Sequence, residues 1–321
     1  MALRLLGLVG LLVVGFALSL SVSEYALRLL NLAAIAGISV IGLNFAFGYV
    51  GLISLGHAAF MGLGAYILAI LTTQAGWSPW LASVPAILGT GLCAAAIGFP
   101  LLRLKGHYLA LATLGLNVSF VIVAANWIEL TGGTNGIAKI PGLSIAGYAL
   151  SGEQPFLWFA LVILACLGFV ASLIQSSRHG RAMMAVRDDE TAAAMTGINV
   201  TAIKVAAFAL SALYAAVAGC LFATHVNFVS PDDFGFAQSI TFLSMLIVGG
   251  EGTIVGAILG ATLLTFLPEW LRVLGDSYLA FFGLMMLGIL IFLPTGIIGL
   301  FDRWRRRAPA PETAAAEVAQ P

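Results

Sequence analysis

The chain has 321 residues, 61% hydrophobic and 9% charged, with a formal net charge of zero and a mean hydropathy of +1.06. This excludes an ordinary soluble domain, which carries charge on about a quarter of its residues, and a membrane β-barrel, whose strands alternate in short segments. Zero net charge also removes the field that draws a protein to nucleic acid, and the basic residues read as topology signals.

Apolar runs reach the roughly 20 residues that span a ~30 Å hydrocarbon core, so the fold class is all-α. The chain reads as a polytopic membrane protein with about 8 to 10 crossings, some of them short or broken. Arg4 precedes an apolar run from Leu5 to Val22. That run is longer than a signal-peptide core, lacks a clear small-x-small cleavage site, and reads as a first membrane helix. Hydropathy and helix breakers predict further helices near 26–47, 53–73, 80–101, 107–127, 156–176, 203–224, 238–250, 254–267 and 277–300. The pair at 238–250 and 254–267 is short, and is expected to form a hairpin of partial or tilted helices. The three cysteines, Cys93, Cys166 and Cys220, lie in apolar runs and read as small buried hydrophobes.

An inside amino end places Arg4, Arg103, Lys105, Arg178, Arg181, Arg187, Lys204, Arg303, Arg305, Arg306 and Arg307 in the cytoplasm, and Arg28, Lys139 and Arg272 outside. The opposite orientation would carry the 303–307 cluster across the membrane, against the positive-inside bias. Both termini are therefore expected in the cytoplasm, with residues 1–301 as the membrane domain. From Ala308 onward Ala, Pro and Glu predominate, so residues 302–321 are expected to form a disordered cytoplasmic tail.

Gly252, Gly256 and Gly260 recur every fourth residue and are expected to line one helix face for close packing. The segment Gly249-Gly250-Glu251-Gly252-Thr253 resembles Gly48-Tyr49-Val50-Gly51, a weak sign of an internal repeat. The spans hold almost no Asp, Glu, Lys or Arg, unlike the pathways of ion-coupled carriers and channels. No G-x-x-x-x-G-K-[S/T] is present, so any ATP must be used by another subunit. His57 and His107 read as caps or cross-links of helix ends, and no set of residues has metal-ligand spacing. Asn44, Ser54, His57, Thr113 and Asn117 are polar groups on otherwise apolar helices. They are candidate pathway residues, and each reads equally well as an interhelical hydrogen bond.

The polar stretch 177–203 interrupts this apolar pattern in the cytoplasm. It holds Arg181, Arg187, Asp188, Asp189 and Glu190, and its good helix formers predict one helix from Arg181 to Met195. Gly197 follows as a left-handed cap, and Asn199 or Thr201 caps the next helix. Composition alone makes this a solvated helical loop of mixed charge.

Thr191-Ala192-Ala193 followed by Gly197 resembles the EAA-type loop of ABC importer permeases, with Thr where many have Glu. More broadly, the chain resembles the LivHM family, permeases of branched-chain amino acid ABC importers, and within it the LivM-type subunit. The resemblance rests on segments 48–60, 104–114, 130–137, 179–182, 249–253 and 293–297, which follow one another over nearly the whole chain. It implies a bacterial inner-membrane subunit beside a paralogous permease, two cytoplasmic ATPase subunits and a periplasmic or lipid-anchored substrate-binding protein. It further implies that Arg181 to Gly197 is a coupling helix docked on an ATPase, and that the external loop 128–155 faces the binding protein. ATP would be bound by the partners and no cofactor by this chain. Branched-chain amino acids are the expected substrates; urea or short amides fit the same architecture, and an ATP-independent carrier or channel is the reading from another class.

Overall fold

The computed structural model describes residues 22–145, 148–150 and 152–271, together with positions 15, 19, 283–284, 287–288 and 296–299. The helices expected near 4–22 and 277–300 and the tail 302–321 lie almost entirely outside the described residues.

The described helices are α1 (Glu24–Val50), α2 (His57–Thr73), α3 (Pro79–Leu101), α4 (His107–Asn126), α5 (Ile128–Thr131), α6 (Glu153–Ser176), α7 (Arg178–Asp188), α8 (Glu190–Met195), α9 (Val200–Val226), α10 (Phe236–Gly249) and α11 (Ile254–Leu271). Six are long and apolar enough to cross a membrane: α1, α3, α4, α6, α9 and α11. The strands are two-residue pieces, β1 (Ile137–Ala138), β2 (Ser144–Ile145), β3 (Tyr148–Ala149) and β4 (Phe228–Val229), and β1 pairs antiparallel with β4.

Helices α1 and α9 form the centre. From Ala33 to Ala46 every residue of α1 is buried, as a helix apolar on all sides must be. Helix α9 packs on α1, α2 and α3, while α6 and α11 pack on α1. Between membrane helices the hydrophobic effect supplies little drive, so small residues that admit close backbone approach hold the bundle together. A Cβ on Gly219 of α9 would stand 2.0 Å from the Met61 carbonyl oxygen of α2, and one on Gly64 would stand 2.6 Å from Cα of Ala216. At the periphery the logic reverses. Leu88, Leu92 and Phe99 of α3 and Leu111 and Ile122 of α4 point outward, as suits a lipid-facing surface.

The ends of the bundle differ in charge. Contacts from Lys105 to Glu190 and from Arg187 to Gly48 and Glu251 put the α3–α4 loop, α7, α8, the end of α1 and the α10–α11 turn at one end. Gln74 donates to the Leu130 carbonyl and Trp80 to the Ser144 carbonyl at the other. Of the eight Lys and Arg among the described residues, Arg103, Lys105, Arg178, Arg181, Arg187 and Lys204 lie at the first end.

Two helices begin inside the membrane. After Gly51, which ends α1 at φ 78°, the chain runs without helix to Gly56. His57 then opens α2 beside Ser39. Ser39 stands twelve residues before Gly51, about 18 Å along α1 at ~1.5 Å per residue, and the intervening extended chain at ~3.3 Å per residue covers the same rise. Helix α2 thus starts near mid-membrane and leaves toward the less charged end. Helix α10 does the converse, starting after the Pro231–Phe234 turn and descending to Gly249 at the charged end.

Three expectations change. The helix expected from Arg181 to Met195 is two, because Asp189 is extended (φ −158°, ψ 113°) and caps α8. The 238–250 and 254–267 hairpin is asymmetric: α10 has 14 residues, but α11 has 18 and continues through Pro268, so it is a full span. Gly252 is not on the α11 face. It lies in the turn at φ 77°, and the close face is made by Gly256 and Gly260 against Gly249 of α10, where a Cβ on Gly260 would stand 1.9 Å from the Met245 carbonyl oxygen.

Candidate functional site

At the charged end, α7 and α8 are fixed to the bundle by side chains that reach backbone groups. Arg187 donates through Nη1 to the Gly48 carbonyl near the end of α1, and its Nη2 stands 2.5 Å from Glu251 Oε1 in the α10–α11 turn. The same turn is held from two more helices. Asn44 of α1 accepts from the Gly252 N–H at 2.9 Å and donates to the Thr253 carbonyl at 3.3 Å, and Gln175 of α6 donates to the Gly252 carbonyl at 3.1 Å. Approach is close here: a Cβ on Gly48 would stand 2.8 Å from the Gly252 nitrogen.

Helix α8 is pinned by its first residue. Glu190 pairs with the buried Lys204 of α9 and, at 3.5 Å, with the exposed Lys105. The Asp189 side chain accepts from Thr191 N–H at 2.7 Å and Ala192 N–H at 3.0 Å; the Ala192 and Thr191 bonds hold its carboxyl below the ordinary value. At the far end Ile198 N–H bonds to Ala193 carbonyl and Gly197 N–H to Ala194 carbonyl, a Schellman motif with Gly197 at φ 85°. Asn199, rather than Thr201, caps α9 by accepting from Ala202 N–H at 3.0 Å. Ala193 is buried against the bundle, Ala192 and Asp188 face outward, and Met195 at the tip of α8 is 84% exposed. Among the described residues Arg181 bonds to the nearby Ser176 carbonyl at the end of α6, at 3.1 Å, whereas Arg187 reaches α1 and the α10–α11 turn.

A second polar cluster forms where α2 and α10 begin. Ser239 Oγ accepts from Ala58 N–H at 3.0 Å and donates to Asn117 Oδ1 at 3.4 Å, while Asn117 Nδ2 donates to the Phe234 carbonyl at 3.4 Å. Thr113 Oγ1 accepts from Leu55 N–H at 2.9 Å and donates to the Ala110 carbonyl at 3.0 Å. Thus α4 supplies side chains to backbone groups that the broken helices leave without helical partners. Ser54 accepts from Gly56 N–H at 3.4 Å. His57 Nε2 lies 2.9 Å from the Ser39 carbonyl, which only accepts, so Nε2 carries the proton; Nδ1 then accepts from Ser211 Oγ at 3.2 Å. His57 is therefore a cross-link of α1, α2 and α9.

Of the five candidate pathway residues, Ser54, His57, Thr113 and Asn117 belong to this mid-membrane cluster, whereas Asn44 lies at the charged end and ties down the α10–α11 turn. All five are buried and hydrogen-bonded. Ser39, Ser211 and Ser239 were missed by the sequence reading, although Ser39 and Ser211 are lone hydroxyls in apolar runs and meet the criterion that selected Thr113, whereas Ser239 sits beside Gln238 and Thr241. Lys204 and Gln175 were also missed as anchors; nothing in their local sequence marks a partner so distant in the chain. Among the described residues no group of His, Cys, Asp or Glu could hold a metal ion.

The chain is similar to known membrane transport subunits along most of its length. The family model described as branched-chain amino acid transport system / permease component matches residues 25–294. The high-affinity branched-chain amino acid transport system permease protein LivM of Salmonella typhimurium is 34% identical over 314 residues, covering 91% of this chain and 74% of the relative, and LivM of Escherichia coli is 34% identical over the same span. The corresponding LivH protein of Escherichia coli is 27% identical over 282 residues, covering 81% of this chain and 89% of the relative. No solved structure matches the chain. With a bundle of apolar helices long enough to cross a membrane and a family match across 25–294, this multi-pass inner-membrane protein belongs to the branched-chain amino acid transport system permease family.

Proposed function

We propose that this chain is the LivM-type permease subunit of an ATP-driven importer that moves leucine, isoleucine and valine by alternating access. The similarity to LivM over 91% of the chain carries the reading. Its working partners are a paralogous permease, two ATPase subunits that bind and hydrolyse ATP, and a substrate-binding protein. The charged end is cytoplasmic, in line with the positive-inside bias.

The geometry supports a specific mechanical role for each end. Helices α7 and α8 form a rigid cytoplasmic platform whose apolar tip, Met195, suits a pocket on an ATPase subunit. Movement of that platform passes through Arg187 to the end of α1 and to the α10–α11 turn together, because one guanidinium holds both. Helix α10 leads from that turn directly to the mid-membrane cluster, where Ser239 meets the start of α2. A push at α7 thereby reaches the point where two broken helices abut, and their separation would open the path. Neutral hydroxyl and amide groups there suit a zwitterion with an apolar side chain, which needs no fixed counter-charge. The loop 128–155, at the opposite end, is the surface for the binding protein.

The test is reconstitution of the complex with its binding protein in vesicles, with ATP-dependent uptake of labelled leucine measured against valine and urea as competitors. Uptake blocked by valine and not by urea is expected; urea uptake or ATP-independent flux would overturn the reading. Gly197→Pro, which removes a capping N–H and cannot adopt φ 85°, is expected to abolish uptake in inserted protein.

A further inference from the structure

Tyr66 stands on α2 beyond the mid-membrane cluster, toward the end opposite α7. It is 3% exposed, and its hydroxyl has no hydrogen-bond partner among the described residues. Buried hydroxyls are nearly always paired, so an unpaired one calls for a use. Its surroundings are of two kinds. Phe120 of α4 and Phe234 lie with ring centroids 6.1 Å and 6.2 Å from that of Tyr66, and Phe222 stands 5.9 Å from Phe234. Gly62 lets these rings converge: a Cβ there would stand 2.5 Å from the Phe120 ring and 2.7 Å from the Phe234 ring. Two carboxylates, Asp232 and Asp233, stand on the Pro231–Phe234 turn that carries the Phe234 ring against Tyr66. Asp233 is committed to that turn, accepting from Ser230 N–H at 2.8 Å and Ser230 Oγ at 3.0 Å, whereas Asp232 is exposed.

We infer that Tyr66, Asp232 and the rings of Phe120 and Phe234 form a transient binding station for the ammonium group of the substrate, on the entry side of the broken-helix cluster. The inference rests on the amino acid permease reading and assigns a half of the zwitterion that the neutral mid-membrane groups leave unaddressed. An ammonium offers three donors and no acceptor, which matches a hydroxyl oxygen, a carboxylate and aromatic π-faces. A substrate carboxylate or an uncharged amide matches this set poorly, because two acidic side chains repel the first and gain little from the second. In this structure the hydroxyl is sealed, so the station is closed; it opens when the Pro231–Phe234 turn or α4 draws away from α2. The turn is continuous with α10, which places the station on the same moving part as the α10–α11 turn at the charged end.

The test uses the whole complex with its binding protein in vesicles, and reads labelled leucine uptake together with ATP hydrolysed per leucine carried. Tyr66→Phe removes only the hydroxyl, and Asp232→Asn removes the charge from an exposed residue. Each is expected to lower uptake by about tenfold, the size of one hydrogen bond to a charged group, and to raise the ATP spent per leucine with the amount of assembled complex unchanged. A merely structural role would lower assembly and leave that ratio alone, and that result overturns the proposal. Wild-type rates and ratios in both variants also overturn it. Should Tyr66→Phe fail to assemble, Asp232→Asn decides the matter by the same two readings. A wild-type complex that carries no amino acid overturns the functional reading itself, which is distinguishable from active wild type with indifferent variants.

Discussion

The charged end and the mid-membrane cluster perform the same task with different chemistry. Both tie separate helices together. At the charged end ionised ties, Arg187 with Glu251 and Lys204 with Glu190, stand beside the neutral bonds of Asn44 and Gln175, and the first pair has side chains 35% and 38% exposed. Water around the first pair offsets most of the desolvation that a charge would suffer, whereas the buried Lys204 depends on Glu190, and a guanidinium spans backbone and carboxylate at once. At mid-membrane, Asn117, Ser239, Thr113 and His57 use neutral donors and acceptors, and all are fully or almost fully buried. Hydrocarbon and packed protein penalise ionised groups far more than amides and hydroxyls. The mid-membrane cluster is therefore built from neutral groups, and the ionised pairs Arg187–Glu251 and Lys204–Glu190 stand at the bundle end.

That contrast can be broken most severely by moving a charge inward. His57→Lys places a flexible ammonium where a buried imidazole bridges Ser39 and Ser211, with a penalty of several kcal/mol, and is expected to leave no stable inserted protein by size-exclusion in detergent. Glu190→Gln is next, since it strips the buried Lys204 of its counter-charge; a loss of about 3 kcal/mol is expected in detergent unfolding. Asn117→Leu leaves the Phe234 carbonyl and Ser239 short of a partner, and should cost about 1–2 kcal/mol in the same measurement. Arg187→Ala sharpens the comparison, because a half-exposed pair contributes only about 1 kcal/mol or less. Its transport defect is expected to exceed that loss, with ATP hydrolysis continuing while leucine uptake falls. Lys105→Ala closes the series: its side chain is 76% exposed, and no change beyond about 0.5 kcal/mol is expected.

Most of the bundle was legible in the sequence because burial in a membrane leaves long apolar runs bounded by Gly, Pro and charge. The predicted spans near 26–47, 80–101, 107–127 and 156–176 correspond to α1, α3, α4 and α6 with ends shifted by a few residues. The interruption before α2 was not legible. Leu52-Ile53-Ser54-Leu55 is as apolar as helix, and only the contact of His57 with Ser39 reveals that the chain rises through the membrane without coiling. Gly252 misled for a related reason, since a four-residue spacing does not tell a helix face from a turn that precedes it. At the candidate site, the break in the apolar pattern at 177–203 was legible from its polarity, and the cap at Gly197 from residue type. Which arginine carries the tie was not, because Arg187 is selected by the positions of Gly48 and Glu251, both distant in sequence.

The deep start of α2 bears on how the protein is made. A 17-residue helix covers about 25 Å, short of a full crossing, yet with Leu52 to Leu55 before it the chain offers the insertion machinery one apolar stretch of ordinary length. Recognition during synthesis thus treats 52–73 as a single span. The unwound half can be settled only when α4 arrives with Thr113 for the Leu55 N–H, and α10 with Ser239 for the Ala58 N–H. Biogenesis therefore has a late step in which a segment threaded early waits for partners translated up to 181 residues afterwards.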